Sequence, residues 1–448
     1  MKQVAQGEPA TPPVGRPPWF GALPPEWRSA PLRYLVTFSG GGTPDKGKPE
    51  YWNGTIPWVS PKDMKQDAIG DSEDHITEAA LDGTVVQLLP PQAVLIVVRG
   101  MILARTLPVA VTTDAVTINQ DIKALRCGPS LLPRFLQAVL QGQSHWLLAQ
   151  ADQSAHGTKK LETDVLRQFE TPCPSLTTQQ QVVSYLERET GRIDALIAAK
   201  EHQLDLLAEK RHAVISEAVT RGLDPAAPVR SSGLPWLGDV PAHWQIWKLG
   251  HVARVGNGST PNRDNPKYWQ GGSIPWLNSA VAHQPEVTSS EQFITDLAFR
   301  ECHLPLLRPG TVLVAITGQG KTRGQATVLS LEATINQHLA YVALDQRRLT
   351  PWFLRWLFLA AYDFLRSISD DSGGTKGALT CEELAGLRMP IPPIAEQNAI
   401  SEWIGDESAK LDAVRAATKR TIELLRERRA ALIAAAVTGQ FEAAGNGN

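Results

Sequence analysis

Residues 234–244 read Leu-Pro-Trp-Leu-Gly-Asp-Val-Pro-Ala-His-Trp, and parts of this run occur earlier in the chain. Pro18-Trp19-Phe20-Gly21 stands 217 residues before Pro235-Trp236-Leu237-Gly238, and Trp27 stands 217 before Trp244. The same offset of 217 takes Thr43-Pro44 to Thr260-Pro261, Tyr51-Trp52 to Tyr268-Trp269 and Ile118-Asn119-Gln120 to Ile335-Asn336-Gln337. It also takes Gly157-Thr158-Lys159 to Gly374-Thr375-Lys376. At an offset of 218, Ile56-Pro57-Trp58 recurs as Ile274-Pro275-Trp276, and Ala218-Val219-Thr220 as Ala436-Val437-Thr438. An offset held along the whole length means two copies of one domain-sized unit, not a solenoid of short repeats.

Each copy divides into a mixed part and a helical part. In the mixed part, β-rich runs such as Val94 to Val98 and Thr311 to Ile316 alternate with Gly, Pro, Asn and Asp loops, and helical patches follow near 131–141 and 350–366. Prolines stop just before 178 and 395, and each following stretch of about 45 residues lacks proline, so each predicts one helix of about 60 Å. Thr178 and Gln181 have the spacing of a capping box. Ile193, Leu196, Leu204, Leu207, Val214 and Ile215 correspond to Leu411, Val414, Ile422, Leu425, Leu432 and Ile433. Steps of three and four predict a coiled-coil seam, with the two helices packed on each other as a spacer. The first helix carries six Lys/Arg against seven Asp/Glu and the second seven of each, which gives the helices no nucleic-acid character of their own.

Composition narrows the function. The 448 residues are 42% hydrophobic and 20% charged, so the chain builds a core, and its net charge of −2 excludes a polycationic protein while permitting local basic faces. No apolar run reaches the ~20 residues of a membrane span, and the N-terminal segment has no signal-peptide core. Cys127, Cys173, Cys302 and Cys381 are widely spaced and read as reduced thiols of a cytoplasmic protein, with no metal site.

Catalytic motifs are missing. Ala315-Ile316-Thr317-Gly318-Gln319-Gly320-Lys321-Thr322 fits a relaxed Walker A pattern, but Arg323-Gly324-Gln325 follows as a turn where a P-loop begins a helix. The first copy has Val97-Val98-Arg99-Gly100-Met101-Ile102 at that place, so the stretch reads as a hairpin loop. There is no GxSxG, no HExxH and no Asn/Asp-Pro-Pro-aromatic motif, and Pro44-Asp45 loses its carboxylate in Pro261-Asn262. No catalytic residues are expected. The repeated tryptophans predict struts of the fold. Residues that differ between the copies are the candidate DNA readers: Lys62, Lys65, Arg99 and Arg105 in the first, Asn278, Lys321, Arg323 and Gln325 in the second. Arg suits guanine edges, and Asn or Gln suits adenine. Lys159, Lys160 and Lys376, in loops common to both copies, suit phosphate.

Together these features resemble the specificity subunit (HsdS) of type I restriction–modification enzymes. The carrying residues are the run at 234–244, Leu313-Val314-Ala315-Ile316-Thr317-Gly318, Pro390-Ile391-Pro392-Pro393-Ile394-Ala395-Glu396-Gln397 and Glu427-Arg428-Arg429-Ala430-Ala431-Leu432-Ile433. The first copy departs from the pattern at Thr177-Thr178-Gln179-Gln180-Gln181. The resemblance implies an α+β protein with target-recognition domains at 20–175 and 241–393, helices at 176–222 and 394–440, a linker at 223–240, a Pro-rich segment at 1–19 and a tail at 441–448. The helices would form an antiparallel coiled-coil spacer with pseudo-twofold symmetry. It also implies that each domain reads one half of a bipartite site in double-stranded DNA. Two methyltransferase subunits using S-adenosylmethionine would be the partners, and a restriction subunit using ATP and Mg can join them. The chain itself would need no cofactor. A tandem-domain protein-binding scaffold is the alternative, and it predicts no salt-dependent DNA affinity.

Overall fold

The computed structural model describes residues 23–153, 158–318, 321–370 and 377–440. Pro18-Trp19-Phe20-Gly21 and Gly374-Thr375-Lys376, with Lys376 among the proposed readers, lie outside the described residues. The chain divides into two compact units: the described part of 1–201 with 420–448 (unit 1), and 202–419 (unit 2).

Unit 1 is built on a five-stranded sheet. Its strands are β1 (Val36–Gly40), β2 (Ala68–Ile69), β3 (Val94–Val97), β4 (Val109–Thr112) and β5 (Ile122–Cys127). Their order is β1-β5-β3-β4-β2, antiparallel except for the β2–β4 pair. Every side chain of β3 is buried, which is why its sequence is unbroken Val-Leu-Ile-Val rather than alternating. Helix Pro133–Gly142 lies against this sheet with proline in its first turn and Phe135 fully buried. Unit 2 repeats the plan with β6 (Ala253–Asn257), β7 (Glu286–Val287), β8 (Val312–Ala315), β9 (Ala326–Leu329) and β10 (Leu339–Leu344), ordered β6-β10-β8-β9-β7. There the covering helix is Pro351–Ala360, with Phe353 and Phe358 fully buried. A three-stranded sheet flanks each core, centred on Trp52–Val59 in unit 1 and on Ile274–Leu277 in unit 2.

The long helices are α1 (Leu176–Arg221, 46 residues) and α2 (Ile394–Val437, 44 residues). Both units use part of each helix. In unit 1, Val182, Val183 and Leu186 of α1 join Ile433, Ala436 and Val437 of α2 in the domain core. In unit 2, Ile400 and Ile404 of α2 join Ile215, Ala218 and Val219 of α1. The pairing is antiparallel within unit 1: Arg426 meets Glu201 at 2.8 Å and Arg429 meets Asp194 at 2.9 Å. In unit 2, Arg211 binds both oxygens of Asp412, at 2.8 and 3.1 Å.

Two helix expectations need correction. Ile193, Ile215, Leu411, Ile422 and Ile433 are buried, but Leu196 and Val414 are 52% and 44% exposed. Both stand three residues past a buried position, Ile193 or Leu411, at the same place of the repeat, so the buried seam does not run through that position in either helix. Neither do Thr178 and Gln181 cap α1. Ser175 does, its hydroxyl accepting from the Thr178 amide at 3.2 Å.

The departure at Thr177-Thr178-Gln179 leaves the helix start intact because the glutamine is retained. Gln179 accepts from the Leu132 amide at 2.8 Å and donates to the Ser130 and Pro174 carbonyls at 2.9 Å. Gln397, 218 residues on, accepts from the Thr350 amide and donates to the Arg348 and Pro392 carbonyls, all at 2.8 Å. Among the described residues no helix is long and apolar enough to cross a membrane.

Candidate nucleic-acid interface

The repeated motifs converge on one surface structure in each unit. The Thr43-Pro44 loop of unit 1 is fixed by two indoles: Trp58 donates to the Gly42 carbonyl at 2.9 Å and Trp52 to that of Asp45 at 3.1 Å. The rings meet edge to face with centroids 5.2 Å apart. In unit 2, Trp276 donates to Ser259 at 3.1 Å and Trp269 to Asn262 at 3.0 Å, with the same 5.2 Å ring separation. The tryptophans are struts, as their repetition predicts. Glycine is required where these loops pass the Ile-Asn-Gln segment. A Cβ on Gly41 would lie 2.0 Å from the Ile118 carbonyl oxygen, and one on Gly258 would lie 1.8 Å from that of Ile335. The close approach lets the Thr43 hydroxyl reach Gln120 and the Thr260 hydroxyl reach Gln337, both at 2.5 Å. Each unit thus presents the same polar Thr–Gln pair on a braced loop.

Around this common frame the side chains differ. In unit 1 the strand Lys159–Lys160 pairs with Arg99–Gly100, placing Lys160 opposite Arg99 and Lys159 opposite Gly100. Arg105 follows the short 3-10 turn Met101–Ala104 that continues from that strand, and Arg99, Arg105 and Lys160 are exposed. Lys160 also reaches Glu162 at 2.6 Å. Glu162 offsets part of the repulsion between Lys160 and Arg99 across the strand pair, and an anionic partner would relieve the rest.

Lys62 and Lys65 stand apart from this cluster. Lys62 is bound to Asp74 at 2.9 Å and Glu73 at 3.1 Å, which raise its pKa well above the ordinary range. Lys65 is 3.5 Å from Glu73, beside a depression that Asp63, Asp71 and Asp114 also line. These carboxylates offset the charge of Lys62, whereas Lys65 is largely exposed.

In unit 2, β8 and β9 form the expected hairpin, the Gly324 amide donating to Ala315 at 2.8 Å. Residues 322–325 lead into β9 and not into the helix that would follow a P-loop. Lys321 is exposed, and its carbonyl accepts from the Tyr362 hydroxyl at 2.9 Å. That contact ties Lys321 to helix Tyr362–Asp370, and Arg323, two residues on, is only 3% exposed. Arg323 is therefore buried, not exposed on the loop as expected. Gln325 is half-buried. Asn278 caps the turn Ser279–His283, accepting from the Ala280 amide at 2.9 Å.

Three features escaped the sequence reading. The Thr–Gln pairs were visible as repeated motifs but lay 77 residues apart within each copy. His338 stands where unit 1 has Asp121, and its Nδ1 is 2.8 Å from the Thr317 hydroxyl. The Arg263 guanidinium lies 4.2 and 4.7 Å from the Trp269 and Trp276 ring centroids, a cation–π contact that no local spacing signals. Among the described residues no group of three or more His, Cys, Asp or Glu is arranged to hold a metal. All four cysteines are unpaired, and burial pushes the Cys127 thiol up to about 12 and that of Cys173 up to about 11.

Two copies of one α+β domain, each bearing the same braced polar loop with different surroundings and each seated on long antiparallel helices, define a tandem-domain recognition protein. Residues 24–206 and 241–423 each match the family described as Type I restriction modification DNA specificity domain, and the chain belongs to that family. A 182-residue stretch is 35% identical to the EcoR124I/EcoR124II specificity subunit of Escherichia coli, covering 40% of this chain and 45% of that one. The MjaIX specificity subunit of Methanocaldococcus jannaschii is 22% identical over 84% of this chain and 85% of its own.

Among solved structures, a chain from a study of complex assembly and conformational transition of the type I R-M system superposes with a TM-score of 0.68 at 18% identity. It covers 94% of this chain and 99% of that one. The HsdS subunit from Thermoanaerobacter tengcongensis gives a TM-score of 0.51 at 17% identity, over 94% and 98% of the two chains. The duplicated family match assigns the tandem architecture to DNA target recognition, not to a general protein-binding scaffold.

Proposed function

We propose that unit 1 and unit 2 each read one half of a bipartite, asymmetric site in double-stranded DNA, and that α1 and α2 set the gap and dock two methyltransferase subunits. The observation that carries this reading is a loop frame repeated at 217 residues with different side chains around it. The Thr43–Gln120 and Thr260–Gln337 pairs sit on matching tryptophan braces. Arg99, whose amide donates to the carbonyl of Asp121 next to Gln120, pairs through its strand with Lys159 and Lys160 in the first unit, whereas the second has His338 in place of Asp121 and Arg263 over its tryptophan brace. A common frame suits a common task such as phosphate contact, and divergent flanks suit different bases. The chain acts without an active site of its own. S-adenosylmethionine, and ATP with Mg where a restriction subunit joins, belong to the partner subunits. The complex works in the cytoplasm.

Methylome sequencing of cells that carry active methyltransferase subunits, with and without this chain, tests the reading. Adenine methylation at one two-part motif with a fixed gap, present only with the chain, is the expected result. An unchanged methylome overturns it. Lys321→Ala is expected to weaken DNA binding through the second half-site alone; unchanged affinity removes Lys321 from the interface.

A further inference from the structure

The seat of each domain on its helices is duplicated in backbone but not in charge. In unit 1, Asp67, Gln137, Ala138, Glu187, Thr190 and Arg429 line one cavity of about 80 Å³. Their counterparts in unit 2, at 218 residues on or, for Arg429, 218 back, are Pro285, Arg355, Trp356, Gly405, Ser408 and Arg211.

In unit 1 the polar groups are satisfied. The Gln137 amide donates to the Asp67 and Val109 carbonyls at 2.6 and 3.2 Å, and the Thr190 hydroxyl donates to Leu186 at 2.6 Å. Arg429 binds Asp194 at 2.9 Å and Asp67 at 3.2 Å.

In unit 2 they are not. Arg355 replaces Gln137 and is only 7% exposed. Its Nε and Nη1, the Trp356 Nε1 and the Ser408 Oγ are all buried without a hydrogen-bond partner. The carboxylates that would balance Arg355 have become Pro285 and Gly405, and Asp412 is already held by Arg211. The guanidinium lies 4.6 Å from the Trp356 ring centroid and 5.8 Å from that of Trp352. These π faces offset part of the charge but accept nothing from the N–H edges. Burial, with Arg211 nearby, lowers the Arg355 pKa to about 10, which leaves it cationic at neutral pH. A water satisfies donors but supplies no counter-charge, and a buried unpaired charge is costly.

We infer that unit 2 holds a small monovalent anion, of chloride's size, between the Arg355 guanidinium and α2 beside Trp356 and Ser408. The burial of these donors closes the site to the phosphates of a nucleic-acid strand. The site has no equivalent in unit 1, where Asp67 supplies the negative charge from within the chain.

Anomalous diffraction from crystals of the full chain grown in bromide tests this. A bromide within hydrogen-bonding distance of Arg355 is expected, and its absence in Arg355→Gln, which restores the residue type of unit 1. In solution, replacing gluconate by chloride at constant ionic strength is expected to raise the melting temperature of unit 2 by about 2 °C, and Arg355→Gln is expected to abolish the rise. Should that variant fail to fold, Trp356→Phe keeps the aromatic contact, removes one donor and is expected to raise the half-saturating chloride concentration several-fold. No bromide at Arg355, or an equal chloride response in the wild type and the variants, overturns the inference.

Discussion

Cys127 lies at the end of β5, where burial holds its thiol neutral up to about pH 12. In the unfolded chain a thiol ionises near pH 8.5. A raised folded pKa means that the stabilisation is complete below the unfolded value and is lost as pH rises towards the folded one. Unit 1 is therefore expected to lose stability progressively from about pH 9, and Cys127→Ala is expected to flatten that loss in denaturant titrations at pH 8 and 10. Arg429 and Arg211 offer a contrast at the same scale. Both bind an aspartate on the facing helix, but only Arg429 also reaches Asp67. Arg429→Met is expected to destabilise by about 1 kcal/mol and Arg211→Met by less, as thermal unfolding of each variant will report. Such partners explain why single residues were the least legible in the sequence. Lys62 looks like any surface lysine until Glu73 and Asp74 fold back onto it, and nothing in the sequence around Arg323 signals that it is buried.

At the scale of elements, the repeat made much of the architecture readable. Both long helices, the β8–β9 hairpin and the tryptophan braces follow from motif order and spacing. Seam positions were less legible, because helical spacing puts a residue on the apolar side without showing whether anything covers it, and Leu196 and Val414 are left exposed. The glutamine at each helix start makes three hydrogen bonds to backbone. Gln397→Leu fills similar space but strands the Thr350 amide and two carbonyls, so a loss of about 2–4 kcal/mol is expected. Hydrogen exchange at the Thr350 amide will show it as local loss of protection. Gly258→Ala forces a Cβ into the Ile335 carbonyl. It is expected to displace the Thr260 loop and weaken DNA binding while leaving the circular dichroism spectrum largely unchanged.

For the whole molecule, separate cores in the two units predict separable specificities. Exchanging residues 241–392 for the corresponding domain of a relative is expected to change one half-site and preserve the other, read out as the methylated motif. A change in both halves would mean that the units do not read independently. The division between the units also bears on how the chain is made. Unit 2 lies within 202–419, but unit 1 is completed by Ile433, Ala436 and Val437. At ribosomal speeds of ~5–20 residues per second, the first unit waits roughly 10–45 s for those side chains. Until then Val182, Val183 and Leu186 lack the part of their cover that Ile433, Ala436 and Val437 supply, a delay that unit 2 does not share. A stop codon just after residue 419 would accordingly spare the half synthesised second and cripple the half synthesised first.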